Sequence, residues 1–255
     1  MLAPGLPLIR AEALEVGFGG VAMLPPLSLA IGGGELWAVV GPNGAGKSTF
    51  VRTLLGLAPA VAGVVTRAPA LRLAYVPQQG TLDTIFPVAV RDFVRMGLQG
   101  PRGLFGRGSA ADRAHADAAL EEAGATGFAR AQLRDLSGGQ RQRVLMARAL
   151  ARDADVVILD EPTNALDLPS ERDVLALIEK LRASHDRGGA AVIMVTHLVE
   201  DALARADHAL LLDRDHGVAL SARASEMHDT PEFQHVYGRF VARHGAHGAG
   251  REGGR

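Results

Sequence analysis

Gly41-Pro42-Asn43-Gly44-Ala45-Gly46-Lys47-Ser48-Thr49 follows the apolar run Glu35-Leu36-Trp37-Ala38-Val39-Val40 and precedes Phe50-Val51-Arg52-Thr53-Leu54-Leu55. The first run has the make-up of a buried strand and the last a pattern compatible with a helix, so the glycines fall between strand and helix. The stretch fits G-x-x-x-x-G-K-[ST], in which glycines let the main chain turn sharply and aim N–H groups at an anion. The N-terminus of the following helix adds unpaired N–H groups and the positive end of its dipole. Lys47 is then expected on the β- and γ-phosphates of a nucleotide, and the Ser48 hydroxyl on Mg²⁺. A chain with 31 glycines can match the glycine part by accident, so the lysine carries the weight. Of 27 basic residues only Lys47 and Lys180 are lysine. A compact ammonium in a chain that otherwise uses arginine marks a phosphate contact.

Around this loop, Leu8 to Val16 mixes apolar and polar residues as a short strand does, Gly17-Phe18-Gly19-Gly20 reads as a turn, and Leu27 to Ile31 as the return strand. A small antiparallel sheet is expected there. The short apolar runs at Leu71–Val76, Val156–Leu159, Ala191–Thr196 and Ala209–Leu212 suit strands covered on both faces, as in a parallel sheet between helices. Between them, residues 82–150 give no strand signal. Val88–Met96 and Ala110–Ala125 read as helices, the second with Ser109 as cap, and Gln99–Gly108 as a Gly/Pro loop. An α/β core lobe of about residues 1–81 and 151–241, interrupted by a helical lobe of about 82–150, is the expected layout, with 242–255 a disordered Gly/His-containing tail.

Composition narrows the partners. Net charge is −1, so no overall basic field recruits nucleic acid or anionic lipid. There is no cysteine, which removes thiolate metal sites and thiol catalysis. No signal peptide is expected at the N-terminus, and no apolar run reaches the ~18 residues of a spanning helix. The nine histidines include His228, His235, His244 and His247, scattered without the spacing of a built metal site. Arg91, Arg95, Arg102, Arg107 and Arg113 make a locally basic area, read as solvated surface, with a protein partner near the membrane as the alternative.

Two further stretches carry chemistry. Asp155-Val-Val-Ile-Leu-Asp160-Glu161 is a buried strand ending in adjacent carboxylates, and the carboxyl ends of parallel strands are where ligands sit in such folds. Asp160 there suits Mg²⁺ through its water shell, and Glu161 suits a general base for the attacking water. Leu136-Ser137-Gly138-Gly139-Gln140 opens a helix running through Leu150, which makes a second anion-ready helix terminus with Ser137 as its cap.

With these residues in place, the chain resembles the ATP-binding subunits of ABC transporters. Leu136–Gln140 matches the family's LSGGQ signature, Gly41–Thr49 its Walker A motif and Val156–Glu161 its Walker B. Gln78 resembles the Q-loop glutamine, a further Mg²⁺ ligand, and Asn164-Ala165-Leu166-Asp167 the D-loop, with asparagine where serine is commoner. His197 resembles the switch histidine on the γ-phosphate, and Phe18 the aromatic that stacks on adenine. The resemblance implies a two-lobed P-loop NTPase fold: a parallel sheet flanked by helices, an N-terminal antiparallel β subdomain and an inserted helical subdomain. It implies that Gly41, Pro42, Asn43, Gly44, Ala45, Gly46, Lys47, Ser48 and Thr49 hold ATP. Ser137, Gly138, Gly139, Gln140 and Asp167 would close the same site from a second copy of the chain in an ATP-bound homodimer.

The resemblance also implies an ATPase on the cytoplasmic face of the inner membrane, attached through permease subunits and served indirectly by an extracytoplasmic substrate-binding protein. Phe86-Pro87-Val88-Ala89-Val90-Arg91-Asp92 resembles a phrase of importers for zinc, manganese or chelated iron. A haem, siderophore or cobalamin importer, an exporter, and a regulatory module that binds nucleotide without hydrolysing it are the alternatives. Glu161 and His197 argue against the last, since a pure binder needs neither.

Overall fold

The computed structural model describes residues 6–78, 87–98, 109–183 and 189–245, with side chains described to Gly238. In chain order the elements are β1 (Ile9–Glu15), β2 (Gly17–Phe18), β3 (Val21–Ala22), β4 (Leu27–Ile31), β5 (Leu36–Val40), α1 (Lys47–Leu55), β6 (Ala62–Arg67) and β7 (Leu73–Val76). They continue with α2 (Val90–Leu98), α3 (Ala110–Glu122), α4 (Gly138–Ala151), β8 (Val156–Asp160), α5 (Leu168–Ala183), β9 (Ala191–Val195), α6 (Val199–Leu203), β10 (His208–Asp213), β11 (Val218–Arg223) and α7 (Pro231–Gly245). Contacts divide the chain into two compact units: Met1–Arg10, Ala30–Trp37 and Thr66–Thr196 form one, and Ala11–Leu29, Ala38–Val65 and His197–Arg255 the other.

In the first unit β9, β8 and β7 lie side by side and parallel, with Leu73 opposite Val156 and Val156 opposite Ala191. The continuous apolar runs are the reason: every residue of β9 and the first four of β8 are buried, as strands covered on both faces must be. Helix α4 packs on β7 and α5 on β9. Burying each large side chain there, such as Ile158 or Ile193, contributes roughly 1.5–3 kcal/mol. At the foot of the strands, Arg72 N and Nε donate to Asp155 Oδ2 at 2.8 and 3.4 Å. The Asp155 carboxylate, only 3% exposed, raises the Arg72 guanidinium above its ordinary value.

Helices α2, α3 and α4 pack on one another in this unit, and among the described residues 87–150 the only strand-like contact is an isolated bridge between Ala89 and Gln132. Ser109 caps α3 through a reciprocal pair of bonds with Asp112, as its position ahead of the alanine run indicates. Arg91 pairs with Asp117 at 2.7 Å and Arg95 with Asp92 at 3.0 Å. Arg102, Arg107 and the loop Gln99–Gly108 lie outside the described residues, as does Phe86 of the Phe86–Asp92 stretch.

In the second unit β10 and β11 form an antiparallel hairpin, with the Ala38–Val40 end of β5 next to β10. Helix α1 buries Phe50, Val51 and Leu54. The expected antiparallel sheet is present as β4-β1-β6. The Gly17–Gly20 turn is itself a small ribbon, β2 paired with β3 across Gly19-Gly20. Strands β6 and β11 have no counterpart in the sequence reading. Helix α7 corrects the tail: it continues past Ala242 to Gly245, because Thr230 Oγ1 accepts Phe233 N at its start and no proline follows Pro231 to stop it. Residues 246–255 lie outside the described residues. No helix among the described residues is long and apolar enough to cross a membrane.

Tyr237, packed on Phe233 with ring centroids 4.9 Å apart, is desolvated and faces the negative charge of Asp213, which push its phenol up from 10.0 to about 12. A folded value above the unfolded one stabilises the protein below pH ~10 and is lost as pH rises through the folded value. In a Tyr75→Phe variant, leaving Tyr237 as the one tyrosine, ultraviolet titration should find phenolate forming near pH 12. A midpoint near 10 would show that the phenol is not buried.

Candidate functional site

The glycine-rich loop lies in the second unit, between β5 and α1. Gly41, Gly44 and Gly46 have φ of 150°, 82° and 97°, values that disfavour side chains. A Cβ on Gly41 would also run into the carbonyl oxygen of Leu212 in β10, so the loop can leave the sheet this closely only with glycine. Gly46 is the N-cap of α1 and supplies no side-chain hydrogen bond. The N–H groups of the first turn are therefore left without a side-chain cap, which is what an anion site requires. Lys47 is 8% exposed and its Nζ donates to the carbonyls of Gly41 at 2.6 Å and Pro42 at 2.9 Å, spanning the loop. Pro42, Asn43, Gly44 and Ser48 are exposed, while Ala45 and Thr49 are buried.

Asp160 ends β8 in the first unit and Glu161 follows it. Tyr75 Oη donates to Asp160 Oδ2 at 3.0 Å, and Gln78 Nε2 donates to Glu161 Oε2 at 3.2 Å. The parallel register puts this together: Tyr75 stands opposite Ile158 and Val76 opposite Leu159, so residues following β7 reach residues ending β8. Glu161 itself has φ of 48°, a left-handed conformation that costs a residue with a Cβ roughly 1–2 kcal/mol. Its N–H donates to Val195 O at 2.8 Å, so the end of β9 holds it there. Asn164 Nδ2 donates to the same Glu161 Oε2 at 2.9 Å. Neither Tyr75 nor Asn164 was assigned a site role from sequence; the register of β7 on β8 and the spacing of Asn164 from Glu161 were the available signals.

Ser137 caps α4 through the box expected of a Ser with Gln three residues on: Gln140 N donates to Ser137 Oγ at 3.3 Å, and Ser137 N to Gln140 Oε1 at 3.0 Å. Ser137, Gly138 and Gln140 are exposed. A Cβ on Gly139 would stand 2.6 Å from Ser170 Oγ, so a larger residue there would have to displace the Ser170 side chain. Asp167 is the cap of α5: its Oδ1 accepts Ser170 N at 3.0 Å. Hydrogen bonds from the Ser170 hydroxyl and N–H hold its carboxyl below the usual carboxylate range. His197 is exposed just past the end of β9, and Phe18 is 58% exposed on the β2–β3 ribbon opposite Val21. The structure thus gathers Gln78, Asp160, Glu161 and Asn164 at one strand end, the phosphate loop around Lys47, and the signature residues on the first turn of α4. Among the described residues no group of three His, Cys, Asp or Glu side chains could hold a metal.

A family model described as "ABC transporter" matches residues 24–164. The zinc import ATP-binding protein ZnuC of Cereibacter sphaeroides is 40% identical over 242 residues, covering 95% of this chain and 91% of that protein. The protein of the same name from Ruegeria pomeroyi is 37% identical, covering 91% of this chain and 84% of its own length. Among solved structures, a metal-chelate type ABC transporter in an inward-facing conformation superposes with a TM-score of 0.79 at 30% identity, over 91% of this chain and 89% of that one. A nucleotide-free ATP-binding cassette superposes at 0.76 with 19% identity, covering 91% and 99%, which speaks for the fold alone.

Replacing Gly41 with alanine should push the loop off β10. Titration with a fluorescent ATP analogue should then show affinity at least tenfold weaker, with a lower thermal midpoint. Wild-type affinity in Gly41→Ala would mean that the close approach to Leu212 is unimportant.

Proposed function

The chain belongs to the ABC transporter ATP-binding family, and we propose that within it this protein is the Mg²⁺-dependent ATPase of a zinc importer. Members of the family hydrolyse ATP to power transport. The reading of the cargo is carried by 40% identity across 95% of the chain to a zinc import ATP-binding protein. In this reading the protein sits on the cytoplasmic face of the membrane, bound to permease subunits that receive zinc from an extracytoplasmic binding protein. The core lobe holds nucleotide and the helical lobe, α2 to α4, carries the signature residues.

Each residue has a role that its surroundings support. Lys47 and the N–H groups of Gly44 to Ser48 bind the β- and γ-phosphates, Phe18 offers an exposed ring for adenine, and His197 an imidazole for the γ-phosphate. Asp160, Ser48 and Gln78 carry the hard oxygen donors that suit Mg²⁺, with Tyr75 engaging Asp160 Oδ2. When bound, Mg²⁺ supplies positive charge against the phosphate oxygens. Glu161 orients and deprotonates the attacking water.

One chain carries one phosphate loop, whose helix starts without a side-chain cap, and one signature helix, whose first turn Ser137 and Gln140 cap. The shared-site dimer uses both: the loop of one copy and Ser137–Gln140 and Asp167 of the other enclose each ATP. An isologous two-fold contact then gives two equivalent sites, and loss of the γ-phosphate on hydrolysis removes the attraction.

Cells deleted for this chain should fail to grow in zinc-chelated medium, recover with added zinc, and recover with the wild-type chain but not with Glu161→Gln. The purified Glu161→Gln protein should bind ATP while its turnover falls at least 100-fold. Rescue of the deletion by manganese and not by zinc would contradict the cargo, and undiminished turnover would contradict the role of Glu161.

A further inference from the structure

Glu161 needs more than a position on the chain if it is to act on one water. A carboxylate with no fixed donor turns about its bonds. Here Glu161 Oε2 accepts Asn164 Nδ2 at 2.9 Å and Gln78 Nε2 at 3.2 Å. A carboxylate can only accept, so the Asn164 amide must present its NH₂ to it. The Asn164 backbone is tied into the same turn, its N–H donating to Glu161 O at 3.2 Å. Ala165 follows in the left-handed region at φ 58°, and Asp167 anchors the far end of the turn as the cap of α5. The asparagine is therefore held from both sides while its amide holds the carboxylate.

We propose that Asn164 is a positioning residue for Glu161, holding its carboxylate through Oε2 in the orientation from which it takes the proton from water. The proposal rests on the reading of Glu161 as general base and deepens it. Gln78 makes the second bond to Oε2, but it has a proposed role toward Mg²⁺ as well, whereas Asn164 has none. Asn164 Nδ2 is a donor that stays on the carboxylate when Gln78 is engaged elsewhere.

The test is Asn164→Asp, which keeps the shape and turns the donor into a second acceptor facing Oε2. Steady-state ATP hydrolysis should show kcat falling roughly 10- to 100-fold with KM for ATP within about twofold of wild type. In the Glu161→Gln background the same substitution should leave the residual turnover unchanged, because the group it acts through has gone. Were Asn164→Asp to fold poorly, Asn164→Leu removes the amide without adding charge and should give a smaller fall in kcat with the same constancy of KM. A kcat within twofold of wild type in a folded variant overturns the proposal, as does KM rising in step with the fall in kcat. An equal loss of turnover in both backgrounds overturns it too, while leaving Glu161 as the base. Undiminished turnover in Glu161→Gln alone overturns the base and the proposal together.

Discussion

The buried carboxylate of Asp155 at the foot of β8 takes hydrogen bonds from the backbone N–H and guanidinium of Arg72 at the foot of β7, and the arrangement at the other end of these strands depends on that contact. It pins two parallel strands 83 residues apart in sequence in one register, with Leu73 opposite Val156. A slip of one residue in such a pair would turn every side chain of the strand to the other face. The bonds at the upper end, Tyr75 to Asp160 and Gln78 to Glu161, would then be impossible. The buried pair is partly open to solvent on the Arg72 side, where Arg72 also reaches Asp153 at 2.7 Å. Its worth lies in the satisfied Asp155 carboxylate and the register it enforces rather than in Coulomb attraction.

The phosphate loop answers a different constraint. An anion site on main-chain N–H groups needs backbone exposed where folded proteins normally pair it. Gly41 lets the loop depart close against Leu212, Gly46 starts α1 without a side-chain cap, and Lys47 bonds to Gly41 and Pro42 to hold the loop's shape. The signature helix is different in kind: its first turn is already satisfied by Ser137 and Gln140. In the proposed dimer that helix end offers its dipole and exposed residues to an anion brought by the other copy.

Local chemistry was legible in the sequence. The phosphate loop, the two serine caps and the strand ending at Glu161 each depend on residues within a few positions of one another, so spacing alone reveals them. Longer contacts were not legible. That Gln78 and Asn164 meet on one oxygen of Glu161 follows from strand register and a left-handed turn. Strand β11, Val218 to Arg223, mixes Ser and Arg with small apolar residues and acquires strand character only from pairing with β10. Helix α7 passes the point where composition suggested disorder because its anchoring residues, Thr230 and Phe233, lie well before the glycine-rich tail. Asp167 shows the opposite limit: family resemblance assigns it to the nucleotide, while the structure also gives it a local task as the cap of α5.

The central claim is that each ATP site is assembled from two copies of the chain, and it is tested most directly by mixing two inactive variants. Lys47→Ala spoils the phosphate loop and leaves the signature helix intact; Ser137→Arg does the reverse. In a hybrid dimer one site carries both defects and the other carries neither. ATP turnover should therefore reappear on mixing, rising toward roughly a quarter of the wild-type rate at equal proportions. A mixture as inactive as its two components, with hybrid dimers demonstrated in it, would contradict a shared site.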